Sequence, residues 1–394
     1  MHPDVLVERL IAWGVDTVFG IPGDGIRGVF EALYKNKDRI RFIHMRHEES
    51  AAFAARAYAK FTGRPGVCVA TSGPGGFHLL NGLYDAKMDG HPVLAIIGMQ
   101  PSDLIGTFTQ QNVALDRLYL DVAVYNERVM SGAHVESVAD LAIRTALEQR
   151  GVSHITLPVD IQVQEQKKGR SDRNPPHHTS ATPAYSDSLP SRVDLEHAAD
   201  ILNRGKRVAI LAGQAALRAT DELEKIAGTL GAPVIKALLG KAAVPDDSPC
   251  TTGGIGLLGT RPSQDALEEC DTLLIVGSSF PYIEFLPEPG AARCVLIDIS
   301  PQRIGLRCPV DVGLVGNSQT CLRALIPLLK RQDHGFLKKA QRRRKDWEEL
   351  MEERGTFMEK PLKPQVVGWE LGKCIPPNAI VTSDCGTIIT WWAR

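Results

Sequence analysis

Short apolar runs, two of them closed by glycine-rich turns, alternate with helical patterns from residue 15 onward. No other feature restricts the fold so strongly. Val15–Phe19 runs into GIPGDG (20–25), after which Ile26, Val29, Phe30 and Leu33 fall at helical spacing. Arg41–His44 turns directly into the Ala-rich stretch EESAAFAARAYAK, and Val67–Ala70 runs into TSGPGG (71–76) and the helical FHLLNGLYDAKMDG. His91–Gly98 and HITLPVDIQ (154–162) read as further strands. Strands alternating with helices in units this short predict a parallel, doubly wound sheet. Its ligands bind beyond the carboxyl ends of the strands, where GIPGDG, the start of the 48–60 helix and TSGPGG are expected to meet.

The same alternation begins again at Val193. Arg207–Leu211, Val234–Ala237, TLLIVGSS (272–279) and CVLIDIS (294–300) are strand-like, and residues 221–230 read as a helix. The expected organisation is α/β: two doubly wound, Rossmann-like parallel-sheet domains at 1–165 and 193–330. A Pro/Ser-rich linker at 166–192 separates them, and a helical linker of mixed charge follows at 331–363. Residues 364–394 hold a helix and then a strand at AIVTSD (379–384). They are too few to bury a core of their own, so this third unit is expected to be cut off.

Composition closes several alternatives. Lys+Arg number 45 against 46 Asp+Glu, which gives no electrostatic case for nucleic acid. No apolar run approaches a membrane span, and MHPDVLVERL lacks the plan of a signal peptide. The 8 cysteines form no C-x-x-C pair, so neither a zinc site nor a disulfide framework is expected, and a reducing cytoplasm fits.

Glu48 and Glu49 fall in the first turn of the Ala-rich helix, where the dipole favours negative charge. Read locally, both simply cap it. The expected meeting of three bends there makes Glu48 a candidate for chemistry. GIPGDGIRG lacks the G-K-[ST] ending of a phosphate loop and the strict G-x-G-x-x-G spacing, so its glycines are read as permitting a tight turn and close approach of something flat. His44, His47, His78 and His91 do not fall at metal-ligand spacing and are taken as structural, with no metal site assigned. Asp298, at a strand end, suits a dinucleotide or an ordinary turn.

Taken together, WGVDTVFGIPGDG, RHEESAAFAARAYAKFTGRPGVCVATSGPG, NGLYDAKMDGHPVLAI and GTFTQQNV resemble the thiamine diphosphate-dependent enzymes of the acetolactate synthase and pyruvate oxidase group. GSSFPYIEFLP and VLIDISPQRIGLRCPVDVGLVGN are most similar to the FAD-containing pyruvate oxidase branch, including pyruvate:quinone oxidoreductase. The resemblance implies that 1–165 is the aminopyrimidine-binding domain, 193–330 the central FAD-type domain and 364–394 the start of the diphosphate domain. It implies that Glu48 hydrogen-bonds N1′ of the aminopyrimidine and favours its imino tautomer, which deprotonates the thiazolium before attack on pyruvate or another 2-oxo acid. It places Pro22, Gly23, Gly73, Asn81 and Gln111 around thiamine diphosphate, and Gly213, Ser278, Phe280 and Asp298 around FAD. A homodimer or homotetramer is implied, with each site completed by a neighbouring subunit. The chain departs from the family in two ways. Gln110, Gln111 and Asn112 stand where Phe-Gln-Glu is common, with Phe108 nearby, and the family's Mg²⁺-binding Gly-Asp-Gly and downstream Asn have no counterpart here. The expectation is the N-terminal and central part of a pyruvate oxidase, inactive alone. An acetolactate synthase-like carboligase or a non-catalytic FAD-binding partner module are the alternatives.

Overall fold

The computed structural model describes residues 2–164, 170–183 and 188–393. The chain divides into two compact units, Met1–Tyr185 and Ser186–Arg394.

In the first unit, β1 (Thr17–Gly20), β2 (Arg41–His44), β3 (Gly66–Ala70), β4 (Val93–Met99), β5 (Ala123–Arg128) and β6 (Val152–Pro158) form one parallel sheet in the order β2-β1-β3-β4-β6-β5. Its helices are α1 (His2–Ala12), α2 (Arg27–Lys35), α3 (Glu48–Thr62), α4 (Pro74–His78), α5 (Leu80–Asp89), α6 (Leu115–Leu118), α7 (Val135–Gln149) and α8 (Val159–Gln162). β3, β4 and β6 are buried along their whole length, as expected of parallel strands covered on both faces. The Ala-rich sequence of α3 has a steric reason. Ala51, Ala52 and Ala55 are fully buried, and a Cβ on Gly66 would stand 2.1 Å from the Ala55 carbonyl oxygen. A Cβ on Gly82 of α5 would likewise lie 2.7 Å from the Ala52 Cβ, so α3 sits tight against both the sheet and α5.

The second unit holds β7 (Val208–Ala212), β8 (Val234–Lys236), β9 (Thr251–Gly254), β10 (Thr272–Val276), β11 (Arg293–Asp298) and β12 (Val312–Val315), all parallel, in the order β12-β11-β10-β7-β8-β9. Counting from β7, this is 3-2-1-4-5-6 read from the other edge, the order of two mononucleotide-binding halves placed side by side. Helices α9 (Arg192–Arg204), α10 (Thr220–Leu230), α11 (Arg261–Glu269) and α12 (Ser318–Leu325) accompany it, and α13 (Gly335–Thr356), α14 (Pro364–Cys374) and α15 (Thr387–Ala393) follow.

The α/β reading with two doubly wound sheets is observed. Some boundaries differ. The strand expected at 154–162 runs from Val152 to Pro158 and continues as α8, because its neighbour β4 ends at Met99 and leaves nothing to pair with. No strand forms at 379–384. Ile380 there is 93% exposed, and an isolated extended segment has no ladder to satisfy its backbone. Of the expected linker, residues 170–183 hold no helix or strand but are tied down: Thr179 donates to Asp140, and Arg144 donates to the Ser180 carbonyl at 2.8 Å. Residues 166–169 and 184–187 of that linker lie outside the described residues.

Candidate functional site

Strands β2, β1 and β3 are neighbours, so the segments leaving their carboxyl ends emerge side by side. These are the start of α3, the GIPGDG bend and the TSGPGG bend. The chain reverses its direction of winding between β1 and β3, which is where ligands of such sheets bind. The two bends touch: the Gly25 N–H donates to Thr71 Oγ1 at 3.3 Å, and a Cβ on Gly23 would lie 2.5 Å from the Thr71 Cβ. Gly73 holds φ at 60°, a conformation side chains rarely adopt, and a Cβ there would stand 2.8 Å from the Gln111 Cβ. Any larger residue would push the two loops apart.

Glu48 opens α3 at this junction. His47 precedes it as N-cap, its ring nitrogen Nδ1 accepting from the Glu49 N–H at 3.2 Å. The Glu48 side chain is only 13% exposed. Its Oε2 lies 3.1 Å from His78 Nδ1, and its Oε1 would stand 3.5 Å from a Cβ on Gly75 of the TSGPGG bend. One carboxylate oxygen is thus held by His78 while the other faces the glycine-lined floor. Glu48 does more than cap its helix.

His47 and His78, expected to be purely structural, share this site. Their rings stack with centroids 4.8 Å apart, and one donor atom from each of His47, Glu48 and His78 lies within 4.8 Å of the others. His78 is 30 residues from Glu48 in sequence, so no local spacing announces the pair. Among the described residues this is the one group of three close donors. Two imidazoles and one carboxylate suit a zinc-like ion; Mg²⁺, which takes an octahedron of oxygens, does not fit it.

The remaining candidates divide. Gln111 belongs to the site, its Oε1 accepting from Ser72 Oγ at 2.7 Å on the loop that leaves β4. Pro22 is exposed on the GIPGDG bend. Asn81 is exposed on α5 and donates to Glu49, the residue next to Glu48. Phe108 is 99% exposed. Gln162, unremarked in the sequence, is buried and holds the GIPGDG bend. Its Oε1 accepts from the Gly28 N–H at 3.0 Å, and its Nε2 donates to the carbonyls of Gly25 at 2.8 Å and Leu157 at 2.9 Å. The signal was hidden because Gln162 reads as the end of a strand.

In the second unit the winding reverses between β7 and β10, and Gly213 and Ser278 leave those two strands. They touch: a Cβ on Gly213 would lie 2.5 Å from the Ser278 Cβ. Ser278 Oγ accepts from the Phe280 N–H at 3.3 Å, and Phe280 is buried in an aromatic group with Tyr282 and Phe285. Asp298 ends β11, is 3% exposed, and accepts from the Ser300 N–H at 2.9 Å. β11 is the middle strand of the second half of this sheet, so the carboxylate stands at its carboxyl end.

Comparison with known proteins matches two family models to the chain. Residues 3–120 match the family model described as the thiamine pyrophosphate enzyme N-terminal TPP binding domain, and residues 195–325 match the central domain of the same enzymes. The Bacillus subtilis protein YdaP, whose name records thiamine pyrophosphate but no reaction, is 39% identical over 99% of this chain and 67% of its own length. A pyruvate oxidase of Lactiplantibacillus plantarum is 33% identical over 97% of this chain and 63% of its own. An acetolactate synthase of Mycobacterium bovis is 29% identical over 99% of this chain and 64% of its own. The chain thus spans about two thirds of the length of these relatives.

Proposed function

The chain belongs to the thiamine pyrophosphate enzyme family, and from that premise we propose that its first sheet forms the aminopyrimidine half of a thiamine diphosphate site in an enzyme that decarboxylates pyruvate or a similar 2-oxo acid. One observation carries this reading: the carboxylate of Glu48 is sheltered where three bends meet, with one oxygen held by His78 and the other directed at Gly75.

The residues present fit the group. Gly23, Gly73 and Gly75 keep side chains away from the floor of the junction, which suits a flat heterocycle. Glu48 exchanges a proton with the ring, and His78 fixes the carboxylate's direction. Gln111, braced by Ser72, adds a polar group to the rim. Bound thiamine diphosphate would supply the electron sink for the carbanion left by decarboxylation. The diphosphate and its Mg²⁺ are not provided for by the donor groups described in this unit, so protein beyond this sheet holds them, as when subunits of a homodimer or homotetramer complete each other's sites.

We further propose FAD for the second unit, with Gly213 and Ser278 flanking it, Phe280 backing it and Asp298 offering an oxygen to a ribose hydroxyl. Electrons would then leave through the flavin to a quinone or oxygen, making the enzyme a pyruvate oxidase. A carboligase of the acetolactate synthase kind is the second reading. It is favoured by the exposure of Phe108 and by Gln110 at the place before Gln111, which leave that rim without an aromatic side chain.

The test joins a flavin absorbance spectrum of the purified protein to a product assay with pyruvate, thiamine diphosphate and Mg²⁺, in the presence of a full-length relative. A flavin spectrum with acetate or acetyl phosphate supports the oxidase, and acetolactate supports the carboligase. Protein that stays colourless, associates with no relative and turns over no 2-oxo acid overturns both. In the active assembly Glu48→Gln should lower turnover by roughly 10²-fold or more.

A further inference from the structure

The second unit carries a chemical site that the thiamine reading does not use. Cys294, on β11, and Cys308, just before β12, bring their sulfurs to 3.7 Å. Among the described residues these are the two cysteines whose thiols bond each other; Cys250 instead meets Ser248, and Cys374 and Cys385 are exposed on other segments. Cys294 is buried and its backbone is fixed, the N–H donating to Asp311 Oδ2 at 2.7 Å. Cys308 is half-buried between exposed Arg307 and Pro309, so of the two cysteines it is the one nearer to solvent.

From this arrangement we infer that Cys294 and Cys308 form an oxidisable dithiol that a hydroperoxide converts to a disulfide, closing the loop that follows Asp298. The Cys308 sulfur attacks the terminal oxygen of the hydroperoxide, the O–O bond breaks, and the remainder leaves as an alcohol, or as water from hydrogen peroxide. Cys308 becomes a sulfenic acid. The Cys294 sulfur then attacks it, the S–S bond forms, and hydroxide leaves as water with the Cys294 proton. Two thiols are oxidised by two electrons and one hydroperoxide is reduced. The electrostatics run the same way: a hydrogen bond from Cys294 holds the Cys308 thiol below its ordinary range, while that bond and burial push Cys294 up. The link would pin residues 299–307, the segment that Ser300 anchors to Asp298. The inference is independent of which reaction the enzyme performs.

The test uses the full chain carrying Cys374→Ser and Cys385→Ser, which removes the exposed competitors. It is titrated with hydrogen peroxide and digested with trypsin without reduction. The expected product joins the peptide beginning at Cys294 to the one beginning at Cys308, with the loss of two hydrogens; fragmentation assigns the bond to Cys308 rather than to Cys321, which lies on the same peptide, and dithiothreitol reverses it. Adding Cys308→Ser should abolish the link and leave Cys294 a free thiol. Sulfinic acid on Cys308 beside unreacted Cys294, or oxidation elsewhere with no such link, would overturn the inference. Because the native pair is present in the parent variant, the outcome there is decisive whether or not Cys308→Ser folds.

Discussion

Gln162 is the place where a single side chain should control the shape of the candidate site. Its amide bridges α8 to the bend between β1 and α2, donating to the Gly25 and Leu157 carbonyls and accepting from the Gly28 N–H. That N–H lies in the first turn of α2, where the helix supplies no partner of its own. Gln162→Met keeps the volume but leaves the Gly25 carbonyl and the Gly28 N–H without their partner. At about 1–3 kcal/mol for each buried group left unpaired, the expected cost for the two is roughly 2–6 kcal/mol. Gln162→Glu should be worse than Gln162→Met, because it places a second oxygen against two carbonyl oxygens. Amide hydrogen exchange of peptides covering residues 20–35 reads this directly. A loss of about 2 kcal/mol or more corresponds to exchange faster by about 30-fold or more, if these amides open with the unit as a whole. Exchange in that segment unchanged by Gln162→Glu would refute the reasoning.

Three further outcomes are expected. Asp140 is fully buried and accepts from Arg9 Nε and Nη2 and from Trp13 Nε1, each at 2.8 Å; Asp140→Ala strands the Arg9 charge and should destabilise the first unit by about 3–5 kcal/mol in urea unfolding. A loss under about 1 kcal/mol would contradict that. His154 is fully buried, stacked on Tyr119 with ring centroids 4.0 Å apart, and burial lowers its pKa from 6.5 to about 3. Below 6.5 the unfolded chain therefore binds a proton that the folded one refuses, so stability should fall as pH drops from 6.5 toward 3, by about 1.4 kcal/mol per pH unit once the unfolded histidine is protonated. His91, lowered to about 4 chiefly by burial, adds to the same slope. Unfolding measured between pH 6 and 5 should lose one proton's share of that slope in His154→Gln, and an unchanged slope would be the contrary result. Gly98→Ala would place a Cβ 2.2 Å from the Gly25 carbonyl oxygen, so it should displace the GIPGDG bend and weaken thiamine diphosphate binding at least tenfold, by calorimetry on the assembly with a full-length relative, while the circular dichroism of the sheet persists. Binding within twofold of the parent would argue that the bend does not frame the ligand.

Much of the architecture was legible because it rests on local regularities. The runs VLAIIGM and TLLIV are too apolar to face water, and TLLIV ends at Gly277, whose positive φ suits glycine. The meeting of GIPGDG, Glu48 and TSGPGG followed from the rule for strand ends in such sheets. What stayed hidden depends on contacts distant in sequence. β5 reads AVYNER, an edge strand half open to solvent, and shows neither an apolar run nor clean alternation. His78 meets Glu48 only because α4 folds back over the start of α3, and Gln162 reaches Gly25 across 137 residues of sequence. The strand expected at 379–384 had the right residue types, but a strand is made by its neighbours.

The claim that matters most is that Glu48 and the two glycine-lined bends form one binding site for the aminopyrimidine. Hydrogen exchange of the full chain, assembled with a full-length relative that supplies the diphosphate half of the site, with and without saturating thiamine diphosphate and Mg²⁺ measures this most directly. Slowed exchange is predicted in residues 20–25, 47–50 and 71–76 together, with loss of all three effects in Glu48→Gln. No slowing in these segments, or slowing that Glu48→Gln leaves intact, would contradict it.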